Sequence, residues 1–538
     1  MFAKAESKFA EPSLFGVTDG KAVGTYAKIE FGDFQTPQTL AGQICALLVQ
    51  RGLIPDVVLE PTCGAGSFLV AAAGAFPRAQ LYGWDINAEY VEQARAILDR
   101  TGAGGRSTVA AQDFFKHDWE KELAGFQGKL LILGNLPWVT NETVSSLNGA
   151  NVPVKENFQG FRGIEARTGK SNFDISEWML IQLVKSLRGR SATLAMLCKT
   201  AIARKLLRFA WQKDGRIECA SLHRIDARKH FAAAVDACLL LVQTGSSGLT
   251  EAPVFDDLHA RTPSTILGLA GQDLVSNVRV YQKLKHLEGL SPYQWRSGVK
   301  HDCSSVMELW RGEGTALHNK LNEEVEIEPD FLFPLLKCSD LANGRATPGR
   351  FVLVTQTRVG EDTSGISAKA PLTWNYLHSH IKRFDARKSS IYANRIPFAL
   401  FGIGDYSFAP WKVAISGLHK TPRFVLVEPF QMKPVFFDDT CYFLPFQNEE
   451  EARVVADILN SEPCLCFISS LLFEDSKRPI TVELLQRLNL HALAEEAGLA
   501  DVWASVRNQE VTYPDGRNDL QAEFIMEHHA RLNKCQAS

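Results

Sequence analysis

The strongest constraint on the fold of this 538-residue chain is an alternation, from about residue 31 to residue 244, of short apolar runs with amphipathic stretches. A short apolar run bounded by turn residues reads as a buried strand, and a longer amphipathic stretch as a helix lying over it. Repeated in alternation, the two form βαβ units around a mostly parallel sheet, an α/β fold. Asp56-Val57-Val58-Leu59 predicts the first strand, and residues 67–76 a helix packed through Phe68, Leu69 and Ala72. Gln80-Leu81-Tyr82-Gly83-Trp84 predicts the second strand, with a helix over residues 88–98. Residues 129–133 predict a third, fully buried strand, and residues 193–197 and 237–242 two more.

A chain of this length divides into at least two domains. Residues 246–263 are rich in Gly, Ser, Thr, Pro and Asp and mark the boundary of a first domain spanning 31–245, after an N-terminal extension of residues 1–30. The helical-looking residues 264–290 predict a bridge, so that 246–290 reads as a linker with a bridging helix. From 291 to 538 the pattern changes to short apolar strands broken by Gly, Pro and Asp, as in residues 351–355, 397–402, 412–416 and 424–428, and returns to amphipathic helix at Glu449. A mixed, β-rich second domain is expected there.

The net charge of −3 excludes a uniformly basic coat, so any phosphate binding has to come from local patches. The 11 cysteines are scattered and none shows zinc-site spacing, so no metal is expected. Residues 1–12 lack the apolar core of a signal peptide, and no segment is apolar over a bilayer-spanning length; a reducing, cytoplasmic setting with no membrane partner is expected.

Leu59-Glu60-Pro61-Thr62-Cys63-Gly64-Ala65-Gly66-Ser67 follows a strand and opens a helix, so Gly64 and Gly66 can bring backbone close to a ligand. Leu69 stands where a dinucleotide fingerprint wants its third glycine, and no Gly-Lys-Ser/Thr follows, so a nucleoside without phosphates suits the turn better. Asp85-Ile86 ends the second strand roughly 25 positions after Glu60, where a carboxylate accepts from ribose hydroxyls. Asp113-Phe114 offers an acceptor for an adenine amine beside a ring for stacking. Taken singly, each acid is more simply a helix cap or a turn residue. Taken in order, after successive strands, they converge at the carboxyl edge of one sheet. Upstream, Phe31-Gly32-Asp33-Phe34-Gln35-Thr36-Pro37 precedes a helix, with Thr36 as its cap and Pro37 in its first turn.

Gly134-Asn135-Leu136-Pro137-Trp138 directly follows the buried third strand. Asn135 to Trp138 resembles the Asn-Pro-Pro-aromatic motif of amino-methyltransferases, preceded, as in that family, by the glycine-rich motif. The resemblance implies a Rossmann-like methyltransferase domain that uses S-adenosyl-L-methionine, with Thr36, Pro37, Glu60, Pro61, Cys63, Gly64, Gly66, Asp85, Ile86, Asp113 and Phe114 as its binding residues. An exocyclic adenine amine is conjugated with its ring and is a poor nucleophile. The Asn135 side-chain oxygen and the Leu136 carbonyl can each accept one amine hydrogen and draw the lone pair out of conjugation. Leu136 stands where the family usually has proline, but the acceptor there is backbone, and Pro137 still keeps the preceding residue extended. Trp138 offers a stacking face for an extruded base.

The resemblance extends, less sharply, to residues 169–175, which open the next helix, and to Lys229-His230-Phe231, where Phe231 would sandwich the base against Trp138. A plain core aromatic is an equally good reading of Phe231. The motif order is similar to that of adenine-N6 DNA methyltransferases with a C-terminal target-recognition domain, which implies duplex DNA as partner. A separate restriction endonuclease or other defence subunits would be further partners.

The basic run from His378 to Arg395, with Lys382, Arg383, Arg387, Lys388 and Arg395 among interleaved aromatics, suits phosphate contacts. Lys199, Arg204, Lys205, Arg208, Lys213 and Arg216 form a second cluster, which reads equally well as a solvated helix face. Alternatives left open are a cytosine-N4 target, an RNA or protein-glutamine substrate, and a catalytically silent DNA-binding subunit.

Overall fold

A computed structural model describes residues 35–138, 174–214, 217–246, 248, 250–312 and 316–507. The readings made of Phe31 to Phe34, Gly169 to Phe173 and Arg216 lie outside the described residues. The chain forms two compact units, Met1–Thr265 and Ile266–Ser538.

The first unit alternates as its apolar runs predict: α1 (Gln38–Gln50), β1 (Val57–Glu60), α2 (Ser67–Ala75), β2 (Gln80–Asp85), α3 (Ala88–Arg100), β3 (Ser107–Ala111), α4 (Trp119–Gly125), β4 (Leu130–Asn135), α5 (Ile175–Ser186), β5 (Ala192–Lys199), α6 (Thr200–Phe209), β6 (Ile217–Ile225), α7 (Ala227–Phe231), β7 (Ala237–Thr244) and β8 (Glu251–Phe255). Their sheet runs β8-β6-β7-β5-β4-β1-β2-β3. β1 pairs in parallel with β2 and β4, and β4 with β5, whereas β7 lies antiparallel between β5 and β6.

All of β1 and all of β4 up to Gly134 are buried, which is why they read as unbroken apolar runs rather than as alternating ones. One face of the sheet packs on Leu40, Ile44 and Leu48 of α1, Phe68 and Leu69 of α2, and Val91 and Leu98 of α3. Each such fully buried leucine contributes about 2 kcal/mol of transfer free energy. Short acceptor side chains start several helices: Asn87 caps α3, Asp118 α4, Asp174 α5 and Asp226 α7. Strand order reverses between β1 and β4, since the chain leaves β1 toward β2 and β3 and returns on its other side, which makes their carboxyl ends the switch point of the sheet.

Three sequence readings need correction. Thr36 does not cap α1: Pro37 takes the cap position, its carbonyl accepts from Ala41 N, and no side chain closes the first turn. Residues 246–290, read as a linker and bridging helix, contain β8, which pairs in parallel with β6, and then β9 (Thr265–Ala270) and β10 (Asp273–Val275), an antiparallel hairpin turned at Gly271 with φ 63°. Among the described residues there, the helix longer than one turn is α8 (Val278–Leu284), capped by Asn277. Residues 397–402 are not a strand. Phe398 has φ 62°, its carbonyl accepts from Thr355 Oγ1, and Leu400 N donates to Gln356 Oε1, so side chains take hydrogen bonds that a ladder would use there, and Phe401 makes an isolated antiparallel bridge with Lys300.

The second unit is mixed and β-rich. One of its sheets combines β11 (Arg296–Ser297), β17 (Trp411–Ser416), β18 (Phe424–Val427) and β20 (Cys441–Phe446) in the order β11-β20-β17-β18. The other combines β12 (Glu308–Arg311), β13 (Leu317–Asn319), β14 (Glu324–Val325), β15 (Leu332–Leu336), β16 (Arg350–Leu353) and β19 (Phe436–Phe437) in the order β14-β13-β12-β16-β15-β19. Two later helices, α9 (Glu449–Leu459) and α10 (Glu462–Leu471), supply Val455, Ile458, Leu459, Phe467 and Ile468 to the core built on Trp295 and β17. Among the described residues no single helix is long and apolar enough to cross a membrane.

Candidate active site

The glycine turn after β1 is tied to its neighbours on three sides. Asp85, closing β2, accepts from Gly64 N at 2.8 Å through Oδ2 and from Asn87 N at 2.8 Å through Oδ1. Gln35 Oε1 accepts from Ala65 N at 3.3 Å, bringing the segment before α1 onto the turn. Thr62 Oγ1 donates to the Asn135 carbonyl at 3.2 Å, which joins the turn to the tip of β4.

The two glycines have different reasons. Gly64 (φ 47°) lies under Gln35, whose Oε1 is 2.6 Å from where a Cβ would stand. Gly66 (φ 87°) precedes α2 in the left-handed region, and a Cβ there would meet Ala94 Cβ of α3 at 3.0 Å. Gly66 thus serves helix packing as well as the turn, a role that spacing alone did not reveal. Gly83, unremarked in the sequence, is required too, because a Cβ would sit 2.5 Å from Leu69 Cδ1 and 3.2 Å from Cys63 Sγ. Cys63 and Pro61 are buried, and burial together with Glu60 and Asp85 pushes the Cys63 thiol well up.

Glu60 is a buried acid of the group. It is only 3% exposed, and burial, followed by the nearby Asp85 charge, holds its carboxyl well above the usual carboxylate range against a backbone hydrogen bond from Leu69. Its Oε2 is buried with no hydrogen-bond partner among the described residues. A Cβ on Gly134 would stand 3.3 Å from Glu60 Cγ, so the acid lies against the residue preceding Asn135.

Around this cluster, Ile86 is exposed. Asp113 accepts from Phe115 N at 3.0 Å and pairs with Lys116 at 3.1 Å. Phe114 is buried, its ring 4.5 Å from that of Trp119. Asp113 thus stands in a turn after β3, and Phe114 packs on a neighbouring ring beside it. Thr36 is buried and Pro37 half-buried.

At the tip of β4, Asn135 and Pro137 are half-buried, while Leu136 and Trp138 are 1% and 5% exposed. Trp138 packs with Ala227, Ala237 and Phe231. Phe231 ends α7 rather than starting a strand, and its ring meets Trp138 edge to face, centroids 5.0 Å apart at 64°. A base sandwiched between parallel rings needs roughly 7 Å, twice a carbon contact distance of about 3.5 Å, so the two rings do not stand as the sandwich requires. Of the second basic cluster, Lys199 Nζ pairs with Asp174 at 2.5 Å and donates to the Trp138 carbonyl at 3.2 Å, and Lys205 pairs with fully buried Glu177 at 2.7 Å. Both lysines are engaged by acids rather than presented as an open basic face.

In the second unit, Lys382, Arg383, Lys388 and Arg395 are exposed. Arg387 is not an open cation. It donates to the carbonyls of Phe384 at 3.0 Å and Ala399 at 3.1 Å, and its guanidinium lies 3.7 Å from the Tyr392 ring centre. The reading of Arg387 as a phosphate ligand gives way to that of a structural staple. Arg383 and Lys388 line a cavity of about 750 Å³ with His301, Glu308, Lys337 and Asp439. Burial lowers His301 to about 4, and Lys337 and Lys320 pair with Glu308 at 2.5 and 3.1 Å.

No family model matches the chain. A Type II methyltransferase, M.NspV of Nostoc sp., is 43% identical over 475 residues, which span 87% of this chain and 98% of that protein. A second Type II methyltransferase, M.XamI of Xanthomonas campestris pv. amaranthicola, is 29% identical over 113 residues, 21% of this chain and 20% of that one. Among solved structures, the Type IIL restriction-modification enzyme MmeI in complex with DNA aligns over 95% of this chain and 78% of its own at 14% identity, with a TM-score of 0.46. Near-complete coverage at 43% identity decides the family: this chain belongs to the Type II methyltransferases.

Proposed function

We propose that this methyltransferase modifies the N6 amine of adenine within a specific duplex DNA sequence, reaching the base by flipping it out of the helix. S-adenosylmethionine is the methyl donor, and when bound it supplies an electrophilic methyl on a positively charged sulfur. Glu60, Pro61, Cys63, Gly64, Gly66, Asp85, Ile86, Asp113 and Phe114, with Thr36 and Pro37, would hold it. The donor set fits. Asp85 stands at the carboxyl end of β2, where a carboxylate would meet the ribose of a nucleoside, and its bonds to Gly64 N and Asn87 N fix its direction. The buried, unpartnered Glu60 oxygen suits a cationic or hydrogen-bonding ligand.

One observation carries the reading: the tip of β4 is hydrogen-bonded through Thr62 to the glycine turn of β1, so two amine acceptors stand beside the cradle at the sheet's switch point. Asn135 Oδ1 and the Leu136 carbonyl accept the two amine hydrogens, the nitrogen lone pair turns toward the methyl, and the proton leaves with or after transfer. Trp138 stacks on the extruded base once its edge-to-face contact with Phe231 opens. The second unit would read the sequence, with exposed Lys382, Arg383, Lys388 and Arg395 as phosphate contacts. A separate restriction endonuclease for the same sequence is the natural partner.

The test is transfer of labelled methyl to genomic DNA from a methylation-free host, followed by digestion to nucleosides and mass spectrometry. N6-methyladenine is expected, reduced about 100-fold or more in Asn135→Ala. N4-methylcytosine would reassign the target. Equal activity in both proteins would overturn the mechanism, and DNA binding without any transfer would make the chain a silent subunit.

A further inference from the structure

We propose that Lys199 and Asp174 form a positioning clamp on the tetrapeptide at the tip of β4, an inference that rests on the catalytic reading of Asn135 and Leu136 given above. Neither residue is near the tetrapeptide in sequence: Lys199 is 61 positions from Trp138, and Asp174 is 25 from Lys199. Strand pairing brings them together. β5 lies parallel to β4 with Leu197 opposite Asn135, so the last residue of β5 is carried alongside the residues that follow β4.

Lys199 Nζ there does two things at once. It donates to the Trp138 carbonyl at 3.2 Å and to Asp174 Oδ2 at 2.5 Å. Asp174 is itself fixed, since its Oδ1 accepts from Ser176 N at 3.1 Å and Ser176 Oγ at 2.5 Å at the start of α5, and its side chain is only 7% exposed. The lysine side chain is 23% exposed, well short of a solvated surface cation. A charge-assisted hydrogen bond at this depth is roughly twice as strong as a neutral one.

The consequence lies in what the clamp holds. Thr62 engages the carbonyl of the first tetrapeptide residue and Lys199 that of the last, and neither uses the carbonyl of Leu136. The two carbonyls are thereby tied to the turn after β1 and to the end of β5, and Pro137 restricts the backbone between them. The clamp sets the direction of the Asn135 side chain and the Leu136 carbonyl, the two acceptors of the catalytic reading. Misplacement by about 1 Å is enough to cost 100-fold in rate.

The experiment compares wild type, Lys199→Met and Asn135→Ala in labelled methyl transfer to genomic DNA from a methylation-free host, with the dissociation constant of S-adenosylmethionine and the melting temperature measured alongside. Lys199→Met is expected to lower kcat by 10- to 100-fold, with cofactor binding and the KM for DNA within about threefold of wild type. If that variant does not fold, the neutral pair Asp174→Asn with Lys199→Gln, which leaves no unpaired buried charge, takes its place, and a loss of at least about tenfold in kcat is expected. An inactive Asn135→Ala beside a Lys199 variant with unchanged kcat would overturn the clamp alone. So would a loss explained by weaker cofactor binding or melting. An active Asn135→Ala would instead overturn the catalytic reading beneath it.

Discussion

The turn after β1 and the basic run from Lys382 to Arg395 were both conspicuous in the sequence, and they fare differently in three dimensions. Around the turn, residues far apart in the chain converge: hydrogen bonds of 2.8 to 3.3 Å link Gln35, Thr62, Asp85 and Asn135 through the turn. In the basic run the cations separate by role, with Arg387 bonded into its own unit while Lys382, Arg383 and Lys388 remain exposed. A turn that has to assemble at a strand end leaves residues little choice of place, whereas a charge run is compatible with either a buried staple or a wet face. Composition cannot tell which.

The largest expected effect that would sharpen the contrast is at Gly66. A valine there meets both the left-handed φ and Ala94 of α3, so Gly66→Val should destabilise the protein by about 3 kcal/mol. Equilibrium urea unfolding measures it, and a change below about 0.5 kcal/mol would remove the packing role of this glycine.

In the basic run the prediction separates two kinds of cation. Replacing Lys382, Arg383 and Lys388 together with alanine should weaken DNA binding by about 10- to 100-fold at moderate salt and reduce the slope of log affinity against log salt by about 2 to 3. Arg387→Ala should instead cost about 1–3 kcal/mol of stability, because two carbonyls and the Tyr392 face lose their partner. Fluorescence anisotropy across a salt series, run beside thermal melts, distinguishes the two; an unstable triple variant with an unchanged salt slope would invert the assignment.

Both units carry a buried histidine lowered to about 4, His223 in the first and His301 in the second. Burial is the leading cause in each, joined by Arg51 at His223, whose guanidinium lies 2.9 Å from Nε2. The folded pKa lies below the unfolded value of about 6.5, so the unfolded chain takes up the proton first. The contribution is complete above about pH 6.5 and falls away as pH drops toward 4, by about 2 kcal/mol per histidine between pH 7.5 and 5. Denaturant titrations at the two pH values check this, and His223→Gln should flatten its share. A pH-independent midpoint would show that the imidazoles protonate freely.

The smallest effect concerns Glu60, whose carboxyl is held well above the usual carboxylate range by burial and by the nearby Asp85 charge. Binding of a cationic cofactor beside it favours the ionised form, so affinity should rise with pH through this titration, by at most about tenfold per unit, with release of up to one proton. Calorimetry in buffers of different ionisation enthalpy measures the proton count. A slope that persists in Glu60→Gln would assign the proton elsewhere.

Much of the first unit was legible because strands buried on both faces spell themselves as continuous apolar runs, as Val57-Val58-Leu59 and Leu130-Leu131-Ile132-Leu133 do. The 265–275 hairpin was misread because an apolar stretch with a single turn glycine fits helix or strand equally well until its partner is known. Gly83 carried no signal at all, since its need arises from Leu69 and Cys63 approaching from another turn of the chain.

Local sequence alone was enough to determine the α/β alternation, the turn after β1 and the amide-bearing tip of β4, because each depends on periodicity or on backbone preferences within a few residues. Tertiary structure decided that Lys199 reaches the Trp138 carbonyl, that Arg387 faces inward, and that Trp138 and Phe231 meet edge to face. Those outcomes depend on strand order and register, which bring side chains tens of residues apart into hydrogen-bonding range, and no short window of sequence encodes that distance.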